Sequence, residues 1–127
     1  MKKILFILFA ILLCSCSNEN DVQYKVKYKI YSNIPLVAKF ADSDGTIKEV
    51  IINYDNVAIP IHNVYPNFKA FLSVKSANKN GLVKIEIQKS KVYNFGKTHY
   101  KVAVSSGEIY LNVNETAEIE YIIEEYD

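Results

Sequence analysis

Few side chains of this 127-residue chain have the types and the spacing that chemistry requires. The sequence contains two histidines, His62 and His99, and neither has a second histidine, a cysteine or a carboxylate at the spacing of a recognised metal motif. His99 and Lys101 are two residues apart, so on a strand their side chains point to the same face. Because a lysine favours solvent, we expect His99 to be solvent-facing as well. We therefore expect neither a metal nor a cofactor at these histidines.

The segment Asp42-Ser43-Asp44-Gly45 begins like a calcium-binding loop, but the later ligands and the distal glutamate of such a loop are missing. An Asp-Gly pair suits the positive backbone dihedral of a tight hairpin, so the segment predicts a turn. The sequence also lacks a Gly-x-Ser-x-Gly motif, a glycine-rich phosphate loop and any cysteine after Cys16. These observations predict a protein that has no catalytic residues and is not an enzyme.

The N-terminal residues have the pattern of an export signal. Lys2 and Lys3 precede the apolar run 4–13, which is short of the roughly 18 residues that a membrane-spanning helix needs. The next residues, Leu13-Cys14-Ser15-Cys16, resemble the lipobox of bacterial lipoproteins, in which a small residue precedes the cysteine that is acylated. The resemblance implies a signal peptide over residues 1–15 and lipidation of Cys16. Cleavage before Cys14 would put the bulky Leu13 at the small-residue position, and ordinary secretion without an anchor is the alternative.

Acylation would hold the mature chain on a membrane, because each buried methylene contributes about 0.8 kcal/mol and palmitate-type chains have many. The expected location is the bacterial cell envelope, at the outer membrane. The protein could lie on either the periplasmic face or the cell-surface face of that membrane. Residues 16–21 form the lipidated cysteine and a polar tether. Its acidic residues resemble the surface-export signal of Bacteroidetes lipoproteins, and a solvated linker is an equal alternative.

Composition limits the class of the remaining chain. Residues 22–127 have the length of one domain with one core. The formal net charge of the whole chain is +1, and all of its basic residues are lysines, which does not suggest a nucleic-acid partner or an arginine-based anion site. Since no thiol follows Cys16, no disulfide supports the fold.

The residues after Asp21 alternate between apolar and polar with a period of two, which predicts strands. The run 22–30 is the clearest strand, with Lys25, Lys27 and Lys29 on its solvent-facing side, and a hairpin at Asp44-Gly45 follows. A second hairpin is predicted around Asn80-Gly81, and Pro60 makes 57–61 a short edge segment. Seven to nine short strands without a helix predict an immunoglobulin-like antiparallel β-sandwich.

Several of these elements also resemble a family. The runs Val26-Lys27-Tyr28-Lys29-Ile30, Val37-Ala38-Lys39-Phe40-Ala41-Asp42-Ser43-Asp44-Gly45, Ile59-Pro60, Leu72-Ser73-Val74 and Asn80-Gly81-Leu82-Val83-Lys84-Ile85-Glu86-Ile87 are similar to the MmpS-type small exported β-sandwich proteins and their Bacteroidetes lipoprotein relatives. Members often have a tryptophan after the Leu-Pro pair, where this chain has Ile61. The resemblance implies an immunoglobulin-like sandwich and an accessory role beside a membrane transport complex, and it carries over no catalytic residues.

Two features of the domain could serve binding. The chain has ten tyrosines, some at outward parity such as Tyr110, which could contact a protein or a glycan, although they could equally fill the core. Residues 115–127 are acidic and contain no basic residue. Glu118, Glu120 and Glu124 share one face there, which predicts either a docking edge or a charged edge strand that prevents aggregation.

We therefore expect a non-enzymatic, lipid-anchored accessory or adaptor module that binds an envelope protein, and no nucleic acid. A surface module for glycans or host ligands is the first alternative, and it requires exposed tyrosines clustered on one face, among Tyr31, Tyr54, Tyr65 and Tyr93. An inhibitor of an envelope enzyme is the second alternative. It requires a protruding loop, for which residues 53–67 are the candidate.

Overall fold

The computed structural model describes residues 22–53, 55–93 and 96–124. The predicted signal peptide, Cys16 and the tether lie outside the described residues, as do Tyr54 and residues 125–127. Within the described ranges every regular element is a β-strand, and no helix there could cross a membrane.

The described residues form nine strands: β1 (Val22–Ser32), β2 (Leu36–Ala41), β3 (Ile47–Ile52), β4 (Asn56–Val64), β5 (Lys69–Ser76), β6 (Gly81–Tyr93), β7 (Lys101–Ser105), β8 (Ile109–Leu111) and β9 (Thr116–Ile122). Sheet I has the order β4-β1-β6-β7, and β8 also pairs with β6. Sheet II has the order β3-β2-β5-β9. All pairs are antiparallel, so the expected β-sandwich is confirmed. It is immunoglobulin-like in its two-layer architecture, with a strand order of its own.

The core lies between the two sheets and follows from the alternation in the sequence. In β1, Val26, Tyr28 and Ile30 are fully buried, while the lysines between them lie on the outer face. From sheet II, Leu36 and Leu72 meet this layer and are also fully buried. Full burial of one such side chain contributes about 1.5–3 kcal/mol, so the apolar interior holds the sandwich together without a disulfide.

The first predicted hairpin is present and joins β2 to β3. Gly45 has a φ of 85°, the conformation that glycine adopts most readily. The Asp42 amide donates to the Thr46 carbonyl at 2.9 Å, and the Gly45 amide donates to the Asp42 carbonyl at 2.9 Å. The segment that begins like a calcium loop is therefore a tight turn.

The second predicted hairpin is wrong. β5 belongs to sheet II and β6 to sheet I, so the connection around Asn80 crosses between the sheets. Gly81 is already part of β6, opposite Leu111, and it does not have a positive φ. Asn80 accepts a hydrogen bond through its Oδ1 from the Val113 amide at 2.7 Å. The Asn-Gly pair therefore serves contacts with other loops instead of a hairpin turn.

Residues 106–108 separate β7 from β8, and both strands pair with the same side of β6. The Ser106 amide donates to the Ile85 carbonyl at 2.9 Å, while the Ser106 hydroxyl accepts from the Ile85 amide at 3.0 Å. The hydroxyl oxygen thus takes the place of a backbone carbonyl where the ladder is interrupted.

Two segments that the sequence predicted to lie at sheet edges are edge strands in the structure. β4 contains Pro60 and lies at the edge of sheet I, and the acidic β9 lies at the edge of sheet II. The expectation of a long loop over residues 53–67 is wrong, because β4 occupies nine of those positions and pairs with β1.

Candidate functional site

The outer face of sheet I is dominated by lysines. Lys25, Lys27 and Lys29 alternate with the buried residues of β1, so their side chains leave the sheet on the solvent side about 7 Å apart. β1 lies between β4 and β6, which places these three lysines in the middle of the sheet and not at its edge.

A tyrosine lies between two of the cations at the end of this row. The Tyr31 ring is half-buried, with Lys29 Nζ at 5.2 Å and Lys84 Nζ at 4.5 Å from its centroid. Tyr31 and Lys84 face each other in the register of β1 and β6. Such contacts between an ammonium and an aromatic ring contribute about 0.5–1 kcal/mol at exposed sites, and they hold both side chains in place.

The segment before β7 completes the surface. Lys27 Nζ lies 4.0 Å from the centroid of the Tyr100 ring, and Lys25 Nζ donates a hydrogen bond to the Thr98 hydroxyl at 3.0 Å. Partial burial raises the pKa of the Tyr100 hydroxyl. In the register of β1 and β6, Lys25 pairs with Ser90, which is only 6% exposed although it lies on the outer face. We infer that the segment 96–100 covers this part of the sheet.

Glu86 is the one carboxylate on the strands of sheet I, all of which are described. It lies opposite Lys29 and is 9% exposed. Lys84 Nζ is 3.7 Å from one of its carboxylate oxygens, and Gln88 Nε2 donates to the other at 3.1 Å. The carboxylate is thus engaged within the surface, which leaves the lysine row with an excess of positive charge.

We name this surface the lysine–tyrosine face. Its members are Lys25, Lys27, Lys29, Tyr31, Lys84 and Tyr100. The charge contrast with the outer face of the other sheet is marked: in the register of the described strands, four lysines and one carboxylate face outward from sheet I, whereas three lysines and three carboxylates face outward from sheet II. A surface of this composition attracts anionic groups, with a strength that falls as salt is added.

An open groove adjoins this face where β1 ends. It has a volume of about 470 Å³ and is bounded by Tyr31, Lys84 and Leu82, with Asn33, Asp55 and Glu108 as polar groups. Leu82 lies opposite Tyr110 in the pairing of β6 with β8, and both side chains are exposed. The groove thus combines apolar surface with hydrogen-bonding groups.

The residues that the sequence singled out for metal chemistry do not come together. His62 on β4 and His99 before β7 are both exposed, and no group of three or more potential ligands occurs among the described residues. The carboxylates of the turn are used locally. Asp42 pairs with Lys48 at 3.0 Å, and Asp44 Oδ1 accepts from the Thr46 amide at 2.9 Å.

These contacts also lower the pKa of both turn carboxyls. For Asp42 the main cause is the hydrogen bond with Lys48, and for Asp44 it is the hydrogen bond from the Thr46 amide. Both side chains therefore stay ionised to a lower pH than usual and stabilise the turn.

Most of the described tyrosines do not fill the core. Among the described tyrosines only Tyr24 and Tyr28 are buried. Tyr65 and Tyr93 are exposed at the end where β1 begins, whereas Tyr110 is exposed at the opposite end. Tyr31 is half-buried beneath its lysines. The exposed tyrosines therefore do not form one cluster.

The acidic residues of β9 lie on the outer face of sheet II. Glu120 pairs with Lys69 at 3.1 Å, and Glu118 lies opposite Ser73 of β5. Both glutamates are exposed, and Glu124 follows the end of the strand. Both a docking edge and a charged edge strand that prevents aggregation require this placement on an edge strand.

The row of three lysines on β1 could be seen in the sequence from the alternation alone. What sequence reasoning missed is the addition of Lys84 and Tyr100, because their proximity depends on the pairing of distant strands. Comparisons of the chain with protein-family models, curated proteins and solved structures find no match.

Proposed function

We propose that this chain is a non-enzymatic lipoprotein of the bacterial cell envelope, anchored through Cys16, whose sandwich is an adaptor for an envelope protein. In this proposal the lysine–tyrosine face is the docking surface, and the partner presents a cluster of carboxylates. The observation that carries the proposal is the row of ordered lysines in the middle of sheet I, with Glu86 as its one carboxylate.

The anchor is supported by the sequence at the start of the chain. A lysine pair, a short apolar run and Ser15 before Cys16 together have the order that lipoprotein export requires. The polar residues between Cys16 and Val22 keep the domain close to the membrane that holds the acyl chains. A module held in this way meets partners that are themselves in the envelope.

The kind of partner follows from how the tyrosine rings are used. Lys29 and Lys84 lie over Tyr31, and Lys27 lies over Tyr100, so ammonium groups take the positions at which a sugar ring would stack. The lysines are held by these rings, which lowers the entropy that binding would cost. An acidic protein surface is therefore a better fit than a neutral glycan. The family resemblance adds a membrane transport complex as the setting.

The test is cross-linking in intact cells with a tag after Asp127, followed by mass spectrometry of the captured proteins. A Lys27→Glu/Lys29→Glu variant should lose the captured partner. The matched control is Lys39→Glu/Lys75→Glu, which reverses two exposed lysines on the outer face of sheet II. Capture of the same envelope protein by the parent and the control, but not by the first variant, supports the proposal. Equal capture by all three contradicts it.

A glycan-binding function is the second candidate, and the groove beside Tyr31 favours it. Exposed Leu82 supplies apolar surface there, exposed Tyr110 lies opposite it on β8, and Asn33, Asp55 and Glu108 supply groups that could bind sugar hydroxyls. Binding of the purified protein to envelope or host glycans, lost in Tyr110→Ala and kept in Lys27→Glu/Lys29→Glu, would favour this candidate over the adaptor.

A further inference from the structure

The end of the sandwich at which β1 begins carries its own set of exposed aromatic side chains. Val22 lies opposite Tyr93 at the end of β6, and Tyr24 lies opposite Val64 at the end of β4. We propose that this end, which we name the tether end, docks on the lipid headgroup layer of the membrane to which Cys16 is attached. The inference rests on the proposed lipidation of Cys16 and adds a second contact with that membrane.

The length of the tether brings this end to the lipid. Six residue steps separate Cys16 from Val22, and a fully extended chain of that length reaches about 20 Å. The eleven residues of β1 span about 35 Å, which exceeds the reach of the tether. The tether end can therefore touch the membrane surface, whereas the end that carries Tyr110 cannot face the membrane end-on.

Tyr65 is held in an exposed position by the loop that follows β4. It is 75% exposed, the largest exposure among the described large hydrophobic side chains. The Phe68 amide donates to the Tyr65 carbonyl at 3.0 Å, and the Asn67 amide donates to the Ile123 carbonyl at 2.7 Å. Asn63 and Asn67 have φ values of 59° and 76°, a region that asparagine tolerates better than most residues. The loop is thus fixed by backbone contacts while its tyrosine faces outward.

Tyr93 stands on the other side of β1 and is 57% exposed. β4 and β6 both pair with β1, so the strands that lead to the two tyrosines are about 10 Å apart. Lys91 Nζ lies 5.3 Å from the Tyr93 ring centroid and 5.5 Å from that of Tyr24. Tyrosines and lysines are the residues that settle at the boundary between water and lipid, where ring and ammonium reach polar groups and the apolar parts are shielded.

Two lysines of sheet II are engaged by carboxylates, since Asp42 pairs with Lys48 and Glu120 pairs with Lys69. The proposed docking rests on the aromatic rings and requires that Tyr65 and Tyr93 enter the headgroup layer.

The chain has no tryptophan, which makes a single introduced tryptophan a specific reporter. Three variants of the full acylated chain, Tyr65→Trp, Tyr93→Trp and Tyr110→Trp, are reconstituted into phosphatidylethanolamine–phosphatidylglycerol vesicles with and without brominated acyl chains. Tyr110 is the matched control, since it is 61% exposed and lies at the opposite end. Far-ultraviolet circular dichroism verifies that each variant is folded. We expect brominated lipid to quench the tryptophan at 65 and at 93 and to leave that at 110 unchanged.

The mass of the mature N-terminal peptide is measured on the same samples, so that anchoring and docking are read separately. An acylated chain whose tryptophan is quenched equally at all three positions, or at none, overturns the docking and leaves the anchor intact. A mature chain without an acyl group overturns the proposed function and, with it, this inference. Quenching of both tether-end positions alone supports the inference.

Discussion

The Tyr28 hydroxyl donates a hydrogen bond of 2.7 Å to the carbonyl oxygen of Ala41. Tyr28 lies on the central strand β1 of sheet I and Ala41 at the end of β2 in sheet II, so this bond joins the two layers inside the core. The same hydroxyl accepts a bond of 3.3 Å from the Phe71 amide of β5. The Tyr28 ring also packs 5.7 Å from that of Phe40, centroid to centroid. One phenol thus fixes the relative position of three strands.

Replacing Tyr28 with Phe should destabilise the fold by about 1–3 kcal/mol, because the Ala41 carbonyl and the Phe71 amide lose a buried partner while the ring still fills the core. Urea unfolding followed by circular dichroism measures the change. Tyr110→Phe is the control, since it removes the hydroxyl of an exposed tyrosine, and its unfolding free energy should equal that of the parent. Equal stability of both variants would show that the bond between the layers contributes nothing.

The unfolding free energy should fall as the pH rises above about 10. Burial raises the pKa of the Tyr28 hydroxyl above that of a tyrosine in the unfolded chain. The unfolded state therefore releases this proton first, and the contribution of Tyr28 is complete below pH 10 and is lost as the pH rises toward its native pKa. Urea unfolding between about pH 9 and about pH 11 should give a steeper loss for the parent than for Tyr28→Phe. Parallel curves would contradict this explanation.

Gly81→Ala should destabilise the protein through steric conflict. A Cβ at this position would lie 2.5 Å from Ile34 Cγ2 and even closer to the Asn33 side chain, which itself accepts a hydrogen bond from the Leu82 amide. Overpacking of this kind costs about 1–3 kcal/mol. Thermal unfolding measures the loss. Gly107→Asn is the control, because Gly107 has a φ of 68° with no atom within 4 Å of a new Cβ, and asparagine tolerates that conformation.

Cys16→Ala should release the protein from membranes, because the acyl chains would have no site of attachment. Fractionation of cells that express the parent, Cys16→Ala and Cys14→Ala measures the effect. Cys14→Ala is the matched control, since it changes the neighbouring cysteine within the proposed signal peptide and should leave the protein in the membrane fraction. Membrane association of Cys16→Ala at the level of the parent would disprove the lipid anchor.

The predicted turns show how far local sequence patterns reach. Asp44-Gly45 joins two neighbouring strands of one sheet, and the short-range signal was sufficient because the backbone hydrogen bonds that close the turn join residues 42, 45 and 46. Asn80-Gly81 carries an equally strong turn signal, yet the strands on either side of it belong to different sheets. The turn alone does not define which strand pairs with which. Gly81 is required by its closeness to Ile34, a residue far away in the sequence.

The sequence by itself determined the strands, the alternate residues of β1 that are buried, and the sandwich. The reason is that a period of two fixes which side chains lie on the same face and can be buried together. It also predicted Cys16 as the anchor and the row of three lysines on β1. Only the tertiary structure decided that Lys84 and Tyr100 join this row, that Tyr65 and Tyr93 flank the start of β1, and that residues 56–64 form a strand. These relationships come from pairing between distant segments, which depends on the packing of the whole core and leaves no local pattern.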